Sequence, residues 1–210
     1  MSHSEVGPPS GRLPQGVRQP VQARSRERFE RILTATETLI EAVPLAQLSV
    51  AMVAQRSGVK RATIYQFFVS VRSVLDTLGR RLLDELYDDI AALRRTRDWR
   101  QALGDACDAT IAFYTRHPAA CLLFLGDGSL HGLRVIDRDF DRRYASLLRV
   151  MLGDRPELQS GDAGDPIQIT ITVFVSVISL SVHIHGRITA DYQREAKVAA
   201  EAYLASRLPG

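Results

Sequence analysis

The chain has 210 residues, 45% of them hydrophobic, enough to bury a sizeable core in one ordinary domain or in two small ones sharing a helix. Its net charge of +3 hides an asymmetry: residues 1–66 hold nine basic and five acidic side chains, residues 67–210 eighteen and nineteen. The basic excess sits in the first third, which points that part toward a polyanion. Cys107 and Cys121, fourteen apart in apolar stretches, argue against a disulfide framework and for a reduced, cytoplasmic setting, as does the lack of an apolar N-terminal signal segment.

Residues 1–22 carry four prolines and three glycines and read as a disordered arm. From Ala23 the pattern turns helical: Phe29, Ile32, Leu33, Thr36, Leu39 and Ile40 recur at spacings of three and four until Pro44. Ser49 is a good N-cap for a short helix to Ser57. Gly58 breaks it, and Lys60 to Phe67 forms another. Ser70 caps a long amphipathic helix through Val74, Leu78, Leu82, Leu86 and Leu93.

Asp98 opens the next helix, with Gln101 placed to complete a capping box, and it runs to His117. A short apolar helix from Pro118 to Leu125 ends in the turn-rich Gly126-Asp127-Gly128-Ser129. Another helix spans His131 to Leu152, and a polar loop covers 153–164. Asp165-Pro166 is a strong helix start. Ile167 to Ile184 is rich in β-branched residues, so propensity alone reads it as strand. Its length without a turn, and steps of four and three through Ile167, Ile171, Phe174, Ile178 and Ser181, favour a helix buried on both sides. A membrane span is the third option for this uncharged stretch. A last helix runs from Asp191 to Leu208. The expected fold is all-α: about nine helices, with a three-helix unit at 23–69 and a helical remainder at 70–210.

The informative stretch is Val50 to Phe67. Ala54 is small enough for two crossing helices to approach, Gly58 tolerates the turn, and Val53, Val59, Ile64 and Phe67 pin the second helix on the first. In such a unit the second helix enters the DNA major groove, N-terminal residues first. Lys60 and Arg61 suit guanine O6 and N7, the Thr63 methyl suits thymine, and the Tyr65 hydroxyl can reach a phosphate. The expected DNA contacts are Ser49, Lys60, Arg61, Thr63, Tyr65, Gln66 and Arg72.

These residues carry a resemblance. Arg31-Ile32-Leu33-Thr34-Ala35, Leu48-Ser49-Val50, and Gly58 to Tyr65 followed by Phe68 resemble the DNA-binding signature of the TetR family of bacterial transcriptional regulators over residues 26–75. Lys60 and Ala62 depart from that pattern's serine and glycine. Phe67 replaces a polar phosphate-binding residue, and Val71 stands in the position of the phosphate-binding lysine, beside Arg72. Lys60, Arg61 and Arg72 are expected to compensate. The resemblance implies a homodimer on a palindromic operator, paired through helices 166–188 and 191–208 as a four-helix bundle. It also implies a repressor released by a small-molecule effector, with a helix-turn-helix DNA-binding domain at 23–69 and a helical ligand-binding and dimerisation domain at 70–210.

Ser176, Ser179, Ser181 and Gly186 would allow close approach in that bundle. Candidate effector-pocket residues are Phe113, Tyr114, His117, Phe124, His131, Phe140, Tyr144 and Phe174, which suit a mostly apolar ligand. His183 and His185, two apart, point to different helix faces and have no companion ligands, so no metal or other cofactor is expected. No nucleophile–base constellation stands out, so the chain is not expected to be an enzyme. The rival readings are a helical ligand carrier or small enzyme keeping a vestigial helix-turn-helix, and a membrane-associated protein.

Overall fold

The computed structural model describes residues 17–18, 20–94, 96, 98–126, 133–153, 155–161 and 164–208, with the backbone alone for 133–141. Among them the fold is all-helical, with isolated backbone bridges but no strand. Nine α-helices follow in order: α1 (Ala23–Ala42), α2 (Val50–Ser57), α3 (Arg61–Phe67), α4 (Val71–Ala91), α5 (Trp99–Arg116), α6 (Pro118–Leu125), α7 (Leu133–Met151), α8 (Pro166–His185) and α9 (Ala190–Ala205).

Local chemistry explains most of the ends. Val43 turns extended ahead of Pro44, as a residue preceding proline must, and α1 stops there. Ser49 accepts from the Met52 amide at 3.4 Å to start α2, and Gly58 ends it at φ 66°, a conformation that costs most residues with a Cβ. At α4, Ser70 and Ser73 exchange side-chain and backbone bonds, each at 3.2 Å, in a reciprocal cap. Asp165 accepts from Ile167 and Gln168 at the head of α8, where Pro166 takes the first helical position.

Three ends depart from expectation. Asp98 caps α5 through the Arg100 amide, but Gln101 completes no box: its Oε1 accepts from the Thr96 hydroxyl at 3.1 Å instead. Helix α8 stops at His185 and not near 188, because Gly186 takes φ 68° and its amide closes on the Val182 carbonyl. Helix α9 ends at Ala205, three residues short of Leu208. In the polar loop after α7, a single turn over 156–158 buries Leu158 completely, so that loop is anchored. The expected start of α7 at His131, and the turn beyond Gly126, lie outside the described residues.

Tertiary packing decides α8 in favour of helix over strand, as β-branched propensity is readily overridden by context. It is not buried on both sides within the chain. Ile167, Ile171, Phe174, Ile178 and Val182 face inward, while Thr172, Ser176, Leu180 and Ile184 step by four along an exposed face. Leu180 is 49% exposed and Ile184 53%. By length and composition α8 alone among the described helices could cross a membrane. Its inner face instead packs extensively on α9, and the turn between them is locked by the buried Ser181 hydroxyl. That hydroxyl accepts from the Thr189 amide and donates to the Arg187 carbonyl, both at 2.9 Å.

One apolar core runs through the chain. The first three helices share it: α1 packs on α2, on α4 and on α6, so the N-terminal unit rests on the remainder through two helices. Each fully buried side chain there, such as Ile32 or Phe68, contributes roughly 1.5–3 kcal/mol.

Candidate nucleic-acid interface

Helices α2 and α3 meet at Gly58. Val53, Val59, Ile64 and Phe67 are all buried, as the motif requires, and Ala54 packs beside them. Phe67 joins an aromatic cluster with Phe29 and Phe68. Phe29 stacks on Phe68 at 4.9 Å between centroids and meets Phe67 edge-on at 5.8 Å. The residue that lacks a polar handle is thus a core residue, and the cluster fixes α3 against α1.

With Ile64, Phe67 and Phe68 inward, the helical repeat turns the intervening residues out. Lys60, Arg61, Tyr65 and Gln66 are exposed and Thr63 is half-buried. Tyr65 exposes 56% of its surface, unusual for an aromatic with no role on a free face. Lys60 holds the N-cap position without spending its side chain on a cap. Two cations at a helix start oppose the helix dipole, so local stability does not account for them.

The other two expected contacts are committed elsewhere in part. The Ser49 hydroxyl accepts from Met52 as the α2 cap. The Arg72 guanidinium is half-buried and its Nε bonds the Asp76 carboxylate at 2.8 Å, one turn on along α4. The i, i+4 spacing of the two residues is the sequence signal for that ion pair.

Two further groups were missed by sequence reasoning. Arg31, on α1, donates from Nη2 to the Ser57 carbonyl at 2.6 Å and so holds the last turn of α2. The segment expected to be a disordered arm is tied down at its end: Val17 bridges Phe68, and the Arg18 amide donates to the Phe67 carbonyl at 2.9 Å. Residues 1–16 of that segment lie outside the described residues.

The candidate effector residues are placed as follows. Phe113, Tyr114, Tyr144 and Phe174 are buried, and Phe124 is half-buried. Tyr144 hydrogen-bonds Thr110 at 3.1 Å, and burial holds its phenol well above the usual value. Burial likewise pushes the Cys107 thiol up to about 12 and Cys121 up to about 11, so both are poor nucleophiles. His131 is outside the described residues, and of Phe140 only the helical backbone is described.

His117 sits at the α5–α6 corner and faces the junction of the two halves. Its ring stacks on Phe113 at 4.6 Å, Nε2 lies 3.0 Å from Glu85 on α4, and Nδ1 lies 3.9 Å from Glu37 on α1. Two surface clefts of about 630 and 560 Å³ flank α1, one beside Arg31 and Ser57 and one beside Pro44 and Leu122. None of the candidate pocket residues lines either of them. Among the described residues no group of three or more metal-ligating side chains converges.

Residues 32–76 match the family model of the bacterial regulatory proteins of the TetR family. A TetR-family transcriptional regulator of Streptomyces coelicolor has a similar structure, with TM-score 0.68 and 25% identity over 86% of this chain and 99% of its own. A TetR transcriptional regulator from a Rhodococcus species gives 0.62 at 19% identity, over 87% and 98%. A TetR-family protein of Syntrophomonas wolfei gives 0.68 at 16%, over 88% and 97%; these last two speak for the fold alone. No curated protein matches the chain.

Proposed function

We propose that this chain, a TetR-family transcriptional regulator, is a repressor that reads a palindromic operator as a homodimer and is released by a small, mostly apolar ligand. The observation that carries the reading is the outward face of α3. Lys60, Arg61, Tyr65 and Gln66 stand clear of the core, with Thr63 half-buried among them, while Ile64, Phe67 and Phe68 hold the helix in place. In a groove, lysine and arginine would donate to guanine edges, the threonine methyl would meet thymine, and Tyr65 would reach a phosphate.

A second observation favours the dimer. Leu180 and Ile184 on α8, and Val198 on α9 at 61% exposure, leave apolar surface on the two helices. Two copies packing these faces as a four-helix bundle would cover it and set two reading heads one helical turn or a multiple apart. The ligand would occupy the core of α5 to α8, among Phe113, Tyr114, Phe124, Tyr144 and Phe174. It releases DNA only if it prefers a conformation whose heads are wrongly spaced. His117, held between Glu85 of α4 and Glu37 of α1, lies on the route by which such a shift would reach the reading head. Two buried free thiols suit a reducing cytoplasm.

Selection of bound duplexes from a random pool tests this reading. A palindromic consensus with two half-sites supports the dimeric reader. Retention of no duplex, even at low salt, would favour a ligand carrier with a vestigial helix-turn-helix.

A further inference from the structure

Helix α3 ends at Phe67, where carbonyls normally lose their intrahelical partners. One of these, the Phe67 carbonyl, is taken by the Arg18 amide, and Val17 pairs antiparallel with Phe68. Val17 is partly buried against the core, while the Arg18 side chain is exposed. A main-chain clip therefore fixes an arginine beside the end of the helix read above as the DNA-reading element. The residues matched by the family model begin only at 32, so that match does not extend to this arginine.

The start of α4, which follows that clip, offers no free guanidinium or ammonium in its first two residues. Val71 is uncharged, and the Arg72 guanidinium is engaged by Asp76. The geometry of a major groove completes the argument. The groove is about 12 Å wide, and a helix with its side chains fills about 10–12 Å. The phosphate walls therefore lie against the flanks of the inserted helix. Helix α3 has seven residues, so its end lies only about 10 Å from its start; an arginine anchored at that end is within side-chain reach of a wall, and its fork of donors fits phosphate oxygens.

We propose that Arg18 is a DNA-phosphate contact, presented by the Val17–Phe68 clip at the C-terminal end of α3. It adds a backbone anchor at the α3–α4 connection, where Val71 carries no charge. The contact rests on α3 being the reading helix. It adds affinity without sequence preference, since phosphates carry no base information.

The test uses the full chain, a duplex recovered by selection, and binding measured across a salt series. Arg18→Ala keeps the backbone amide and so the clip. It is expected to lower the log–log salt slope by about 0.9, one phosphate contact, so that a fourfold rise in salt weakens it about 3.5-fold less than the parent. Base preference should be unchanged, and Arg18→Lys should restore most of the slope. An Arg18→Ala slope equal to the parent's overturns the contact while leaving the reading helix intact. A parent protein with no affinity for any duplex overturns both.

Discussion

The Arg31 guanidinium grips the Ser57 carbonyl at 2.6 Å, so α1 fastens the end of α2 one residue before the chain turns toward α3. The turn itself is Gly58, at φ 66°. A Cβ there would come within 2.8 Å of the Arg31 Nη2 atom. Glycine is thus needed twice, for its left-handed backbone and for the room it leaves the guanidinium.

Gly58→Ala should lower the unfolding free energy by roughly 1–2 kcal/mol from the backbone conformation alone. The added Cβ also displaces the arginine tip, which then releases the carbonyl it holds. Arg31→Ala should show a similar loss with the glycine intact, because a charged hydrogen bond contributes about 1.5–3 kcal/mol. Urea denaturation of the two variants and their combination checks this. A double variant much less affected than the sum of the singles is expected, since both changes break the same contact.

The exposed faces of α8 and α9 lead to a statement about assembly. Leu180→Glu and Val198→Glu place charge where the dimer would bury it, while neither side chain supports the core of one chain. Each variant should melt cooperatively and sediment as a monomer at concentrations where the parent is a dimer. A parent that sediments as a monomer throughout contradicts the proposed pairing.

Asp165 ties the start of α8 to α7. Burial pulls its carboxyl pKa upward, but the Arg149 side chain, with the Gln168 and Ile167 amides, overcomes that and holds it below the ordinary 3.8. Arg149 lies 2.6 Å away. A lowered carboxyl pKa means the folded state favours the charged form. Its stabilisation is therefore whole above 3.8 and drains as pH falls through the lower folded value. Asp165→Asn keeps a competent N-cap and removes the charge. It should be about 1 kcal/mol less stable at neutral pH. Thermal melts should show the difference shrinking once pH drops below about 4. A gap constant down to pH 2 contradicts the account.

Much of this was legible in the sequence because the deciding forces act within four residues. Ser49, Gly58, Ser70 and Asp165-Pro166 punctuate their helices through backbone groups next to them, and all four act as read. The outward face of α3 followed from the same short-range periodicity. What escaped depends on distance along the chain. Arg31 and Ser57 are 26 residues apart. Val17 and Phe68 are further still, so nothing local marks residues 17–18 as held. Gln101 met the spacing of a capping box but found Thr96 as a competing donor. In α8 an apolar composition all round could not say which face the chain covers and which it leaves open.

Base reading by the free face of α3 underlies the proposed function. The direct measurement is the affinity of a Lys60→Ala/Arg61→Ala variant for a selected palindromic duplex and for the same duplex with both half-sites scrambled. The parent should prefer the palindrome and the variant should lose most of that preference, each lost base contact costing about 1–3 kcal/mol. A folded variant that still discriminates between the two duplexes as strongly as the parent would contradict it.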